Sequence, residues 1–279
     1  KNDFDQHEIK ISQILLTLDD TEQRRRSINA RRTIDTLLKL GIVPVVNEND
    51  TIATTEIRYG DNDRLASRVA QISSSDCLIL LSNINGLYSA DPTNGEDIKL
   101  IPTVNEIDQD IEKMIGESIS EYGKGGMKTK IQAAKTAMLS GCHLAITNGS
   151  IMKPIRSLFE GRPCTWFEPN KSPMAARKQW IAGTMNPVGK IVIDQGAVDA
   201  LKKGSSLLPA GVKMIEGSFE RGDVIEVCSE DNKKIGIGLA GYSSTASKSI
   251  MGHKSDEIAN ILSYSYREEM IHKDDLVLL

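Results

Sequence analysis

The chain has 279 residues, 39% of them apolar, enough to bury a core and long enough to favour two domains. Only 4% are aromatic, so that core must be built from Ile, Leu, Val, Ala and Met. A formal net charge of −4 and a pI near 5.7 argue against tracking of nucleic-acid phosphates by the whole chain and leave room only for a local basic patch.

Residues 9–16 read as a strand with mixed alternation. Asp19-Asp20-Thr21-Glu22 is a cap-like acidic start to a helix reaching about Leu40, with Ile28, Ile34, Leu37 and Leu38 as its apolar positions and Gly41 placed for a left-handed C-cap. The apolar run 42–46 follows at once as a buried strand, and helix, glycine, apolar strand is the signature of a βαβ unit. Asn62-Asp63-Arg64 opens the next helix, with Leu65, Val69 and Ile72 inward. Residues 77–81 are a second continuous apolar strand, with Cys77 as a small core residue. A polar loop over 82–88 follows, ending at Asp91-Pro92. Residues 107–115 read as helical. A Gly- and Lys-rich run at 123–130 precedes a helix through Ile131, Ala134, Ala137 and Met138 to Ser140-Gly141. Strands at 144–146 and Cys164–Phe167 close a first domain at 1–170. Residues 171–188 read as a linker, with Trp180 and Ile181 as a docking anchor. From 189 to 279 short strands at 191–193, 214–216, 223–228, Lys234–Leu239 and 276–279 alternate with Gly and Asp turns, with one helix at 197–203. The expected fold class is therefore α/β: a mostly parallel sheet flanked by helices, then a small, mostly β pseudo-barrel.

Two clusters of acids and amides follow the first apolar run: Asn47-Glu48-Asn49-Asp50, then Gly60-Asp61-Asn62-Asp63. Ligands of open α/β sheets sit beyond the carboxyl ends of strands, so Asp50, Asn62 and Asp63 are candidates to bind an amine or hold a lysine or metal. Asp, Asn and Gly are also ordinary turn formers, and one such cluster would need no other explanation. Lys124, Gly125, Gly126, Met127, Lys128, Thr129 and Lys130 lie at a helix N-terminus, where backbone N–H groups, the helix dipole and lysines suit a phosphate. The spacing is not that of a P-loop, and a basic loop before an ordinary helix is the alternative. Ser82 and Asn83 follow a strand where a nucleotide's base or ribose would lie, or else form an Asx turn. Cys77, Cys142, Cys164 and Cys228 show no zinc spacing and suit a reducing cytoplasm. The four histidines stand apart, and His253 is placed to cap a helix. Arg24-Arg25-Arg26 and Arg31-Arg32 read as a solvated helix face. No apolar run reaches membrane-spanning length, and Lys1-Asn2-Asp3 is no signal peptide.

Val-Val-Asn-Glu-Asn-Asp at 45–50, Gly-Asp-Asn-Asp at 60–63, Gly-Leu-Tyr-Ser-Ala-Asp-Pro at 86–92 and Lys-Gly-Gly-Met-Lys-Thr-Lys at 124–130 together resemble the glutamate 5-kinase branch of the amino-acid kinase family. Gly-Ser-Ser-Leu-Leu-Pro-Ala-Gly at 204–211 and Phe-Glu-Arg-Gly-Asp at 219–223 resemble the PUA domain appended to many bacterial members. The resemblance implies ATP-dependent phosphorylation of the L-glutamate side-chain carboxylate, the first step of proline synthesis, with Mg2+ accompanying ATP and no metal ligand assigned to the protein. It implies Asp50 and Asn62 on glutamate, Asp63 organising the catalytic lysines, Lys130 on the transferring phosphoryl group, and Ser82, Asn83 and residues 124–130 on ATP. A homodimer or tetramer, feedback by proline and a cytoplasmic location are further implications. At 82–83 the family commonly has Thr-Asp; Ser-Asn here keeps the hydroxyl and exchanges a carboxylate for an amide. The family's first strand with its Lys-x-Gly-Ser/Thr loop, and its Ser-Gly-Ala turn, are expected upstream of Lys1. These 279 residues alone are therefore expected to show little or no kinase activity. The competing expectations are a related kinase with another substrate, and an RNA-binding or regulatory protein acting through 189–279. In that segment Lys202, Lys203, Lys233, Lys234 and Arg221 are matched by Asp223, Glu226, Glu230 and Asp231, a weak basis for RNA.

Overall fold

The computed structural model describes residues 2–51, 62–90, 98–116, 126–183, 187–263 and 267–279. They fall into two compact units, Lys1–Ala176 and Arg177–Leu279. None of the described helices is long and apolar enough to cross a membrane.

The strands of the N-terminal unit are β1 (Ile11–Leu16), β2 (Val43–Glu48), β3 (Cys77–Ser82), β4 (Thr103–Val104), β5 (His143–Asn148) and β6 (Cys164–Phe167). Among the described residues they make two sheets, where one was expected: the parallel pair β1–β2, and a four-stranded sheet in the order β3-β5-β6-β4. Pairing is parallel for β3–β5 and β4–β6 and antiparallel for β5–β6. The first long helix is broken at Gln23, whose extended backbone separates a short acidic helix, Leu18–Glu22, from Arg24–Lys39. Gly41 turns the chain with φ +69, in the left-handed region.

Two readings of buried strands are corrected. β2 alternates, with Val43 and Val45 exposed, because only one face of the β1–β2 pair lies against helices. Ile14, Leu16 and Val46 on that face pack with Ala30, Ile34 and Leu37 of helix Arg24–Lys39. Cys77 is exposed, not a core residue, because it opens β3 at the edge of its sheet; only Leu80 of that strand is buried.

Helix Asn62–Ser73 belongs to two cores. Leu65, Val69 and Ile72 recur at i, i+4 and i+7 and join the cluster under β1 and β2. Ala66 and Ala70 join a second cluster with Leu80, Leu144, Ile146 and Phe167. Helix Met127–Leu139 packs against it and contributes Ala133, Ala134 and Ala137, small residues that allow close backbone approach.

The C-terminal unit holds β7 (Gly189–Ile193), β8 (Val212–Gly217), β9 (Val224–Ser229), β10 (Lys234–Leu239) and β11 (Leu276–Leu278). They form one sheet in the order β11-β10-β9-β7-β8, antiparallel except for β7–β9. Its single core includes Ile193, Leu201, Ile225, Tyr242, Ile250, Ile258 and Ile271. The one expected helix is Gln195–Lys202, and two more accompany it, Ser244–Ile250 and Ile258–Leu262. Ser243 starts the first of these by accepting a hydrogen bond from the Ala246 N–H. Within 171–188, Pro173–Gly183 is helical, with Ile181 fully buried and Trp180 exposed. Arg177 donates to Asp275 Oδ1 through Nη2 and, at 3.1 Å, through Nε, while Arg267 Nη1 lies 3.7 Å from Asp275 Oδ2.

Candidate active site

The packing of two helices brings together residues 67 apart in sequence. Asp63 stands in the first turn of Asn62–Ser73, and Lys130 at the end of the first turn of Met127–Leu139. Lys130 Nζ donates to Asp63 Oδ2 at 2.8 Å, with the two side chains 12% and 16% exposed. Thr129 Oγ1 lies 3.3 Å from the same carboxylate oxygen and 2.8 Å from the Gly126 carbonyl oxygen. A helix N-terminus favours an acid, as at Asp63, and disfavours a lysine. Lys130 therefore stands against the local electrostatic rule, and such violations concentrate at functional sites.

The surroundings suit a phosphate. Gly126 is the N-cap of the thirteen-residue helix and offers no side-chain cap, and a Cβ built on it would meet nothing within 4 Å among the described residues. Open space beside first-turn N–H groups is what an anion requires. Lys128 is exposed beside this space, and Met127 packs against the second core. Lys124 and Gly125 lie outside the described residues, as do Gly60, Asp61, Asp91 and Pro92.

Asp50 is exposed in the turn after β2, and Asn62 is exposed at its helix start. Among the described residues neither is hydrogen-bonded to the Asp63–Lys130 pair. Ser82 ends β3 and donates to the Asn83 Oδ1 at 3.3 Å; Asn83 itself is exposed. Sequence reasoning missed the neighbours of Ser82. The parallel register sets Asn148, the end of β5, beside it, and Gly149 N–H donates to the Ser82 carbonyl at 2.7 Å. Asn148 Oδ1 accepts from Ser150 N–H at 2.8 Å. Their signal was Thr147-Asn148-Gly149 closing an apolar run, legible as a site only once the two strands are known to be neighbours. Among the described residues no group of three or more His, Cys, Asp or Glu side chains is arranged to hold a metal ion. The Cys142 thiol is pushed up to about 12, by burial first and then by Cys77 and Asp76, which leaves it a poor nucleophile.

The family description "Amino acid kinase family" matches residues 1–148, and the PUA domain matches residues 189–262. The glutamate 5-kinase of Paramagnetospirillum magneticum is 54% identical over 272 residues, covering 98% of this chain and 74% of that protein. The glutamate 5-kinase of Pelagibacter ubique is 55% identical over 269 residues, covering 96% of this chain and 73% of that protein. Among solved structures, carbamate kinase from Giardia lamblia bound to AMP-PNP aligns over 61% of this chain and 66% of that chain, at 17% identity and a TM-score of 0.43.

Proposed function

Because this chain belongs to the amino acid kinase family, on its glutamate 5-kinase branch, we infer that it transfers the γ-phosphoryl group of ATP to the side-chain carboxylate of L-glutamate. The products are L-glutamyl 5-phosphate and ADP, and the reaction is the first step of proline biosynthesis. A glutamate carboxylate oxygen bonds to phosphorus while the bond from the γ-phosphorus to the β,γ-bridging oxygen breaks, its electron pair leaving with ADP. The nucleophile is already an anion, so the step needs no general base. Its barrier is one of positioning and charge: two anions must meet while negative charge spreads over the equatorial oxygens.

The observation that carries the residue assignment is the half-buried Lys130 held by Asp63 at a helix N-terminus. In this reading Lys130 neutralises the transferring group, and Asp63 keeps its ammonium aimed. Gly126, Met127, Lys128 and Thr129, with Lys124 and Gly125, hold the ATP phosphates through backbone N–H groups and positive charge. Ser82 and Asn83 hold the rest of the nucleotide, Asn83 by hydrogen bonding where an acid would make an ionic contact. Asp50 takes the glutamate ammonium, and Asn62 hydrogen-bonds the same substrate. Mg2+ accompanying ATP would be held by the phosphates rather than by a cluster of acids among the described residues, and would supply charge screening there. Homo-oligomerisation, feedback by proline and a cytoplasmic place of action belong to the same proposal. RNA is the less favoured partner of the PUA domain, where basic side chains are already engaged by acids: Lys234 with Glu226 at 2.8 Å and Lys190 with Glu216 at 3.0 Å.

The test joins intact mass and N-terminal sequence of the native protein to an ATP-dependent hydroxamate assay. Hydroxamate is expected with glutamate and not with aspartate. Turnover of aspartate, carbamate or a nucleoside monophosphate in place of glutamate overturns the substrate. An unchanged rate in Lys130→Met overturns the residue assignment.

A further inference from the structure

The loop after β3 is fixed by a residue far away in sequence. Leu87 to Ser89 and Lys99 to Ile101 run antiparallel about an isolated bridge between Tyr88 and Leu100. Ile101 N–H donates to the Leu87 carbonyl at 2.8 Å, and Ser89 N–H to the Lys99 carbonyl at 2.9 Å. A regular ladder would complete the Leu87–Ile101 pair with a bond from Leu87 N–H to the Ile101 carbonyl. That bond is replaced by a side chain. Leu87 N–H donates to Thr165 Oγ1 at 2.8 Å, and the same hydroxyl donates to the Ile101 carbonyl at 2.7 Å.

Thr165 lies on β6 and is fully buried. Its one proton and one of its lone pairs are both used, so the hydroxyl is a wedge that satisfies both backbone groups while holding the two strands apart. Gly86 rides directly over it: a Cβ there would fall on Thr165 Oγ1 and within 2.8 Å of Thr165 N. Loop and wedge therefore fit only as a pair, and Ser82 and Asn83 enter this clamped segment from β3.

We propose that Thr165 is a positioning residue for nucleotide binding: its hydroxyl sets the path of the loop over 83–87 and so aims Ser82 and Asn83 at ATP. The proposal rests on the assignment of those two residues to ATP. It touches neither the Asp63–Lys130 pair nor the glutamate residues, so its effect is confined to the nucleotide.

The experiment is equilibrium binding of ATP to the native full-length protein by calorimetry, with melting curves as a control for folding. Thr165→Val keeps shape and loses both hydrogen bonds; it is expected to weaken ATP binding by about three- to tenfold. Glutamate affinity should stay within about twofold. Thr165→Ser restores the hydroxyl and should bind ATP as the parent does. Thr165→Ala leaves room for a water to bridge Leu87 and Ile101 and should fall between; it decides the question if the valine variant does not fold. Asn83→Ala separates the two ideas. If it weakens ATP binding while Thr165→Val and Thr165→Ala do not, the positioning role is wrong and the ATP assignment stands. If none of the three weakens it, the ATP assignment falls as well.

Discussion

Each unit of the chain buries one acid against basic side chains to nearly the same degree. In the N-terminal unit Asp63 meets Lys130, with side chains 16% and 12% exposed; in the C-terminal unit Asp275 meets Arg177, both 14% exposed. The chemistry around them differs. Asp275 engages two guanidinium groups, one on each oxygen, and Arg267 is held further by its own carbonyl, which accepts from the Tyr242 hydroxyl. A planar fork of this kind fixes direction and cannot be re-aimed without breaking the set. Asp63 Oδ2 holds a lysine, a point charge on a flexible stem, at the mouth of a helix where an arriving anion can draw it forward. The same pairing of charges is a rivet in one unit and, in the proposed function, a loaded arm in the other.

That contrast can be broken most forcefully at the rivet. Asp275→Ala strands two partly buried arginines and should cost about 3–5 kcal/mol of stability, read as a lower melting temperature of the C-terminal unit. Rates corrected for folded protein should hold; a rate loss without a stability loss would put Asp275 on the functional side. Lys130→Met should move both readouts. ATP-dependent glutamyl-hydroxamate formation by the native full-length protein, corrected for folded protein, should fall by about 10²–10³-fold, some 2.7–4 kcal/mol, and the melting temperature should fall as well, because the largely buried Asp63 carboxylate loses its cation. Gly86→Ala sharpens the picture inside the N-terminal unit. Its methyl group collides with Thr165, and about 1–3 kcal/mol of destabilisation is expected, smaller if Thr165→Ala is introduced with it. The smallest effect is chemical. With its thiol pushed up to about 12, Cys142 stays protonated at pH 8 and should resist iodoacetamide, while exposed Cys77 is labelled first; peptide mass mapping of a time course reads the order.

The legible parts of the fold were those whose signal is local. Gly41 closed its helix as the C-cap pattern requires, β6 and β10 have the bounds their composition suggested, and Leu65, Val69 and Ile72 face inward as their spacing implied. The Gly- and Lys-rich run and Asp63 were each readable as candidates; that Lys130 reaches Asp63 depends on helix packing across 67 residues and left no mark in either segment. Residues 171–188 read as linker from their Lys, Arg, Pro and Gly; the helix Pro173–Gly183 within them carries Arg177, whose partner Asp275 is 98 residues away and left no local signal. Helix Ser244–Ile250 was hidden by serines, poor helix formers whose usefulness here lies in the cap at Ser243. Cys77 misled for the opposite reason: an apolar run predicts burial of the strand as a whole, but an edge position exposes its first residue.

Helix Asn62–Ser73 has a consequence for how the N-terminal unit comes apart. Its leucine and isoleucine side belongs to the core under β1 and β2, and its alanine side to the core under β3 and β5. Detaching either core exposes one apolar side of this helix, so the two cores are expected to unfold together, and native-state amide exchange along the helix reads this directly: exchange slower than in only one of the two sheets would show that they open separately. Asp63 sits at the tip of that shared element, so the carboxylate that steadies Lys130 is anchored by the combined stability of two hydrophobic cores.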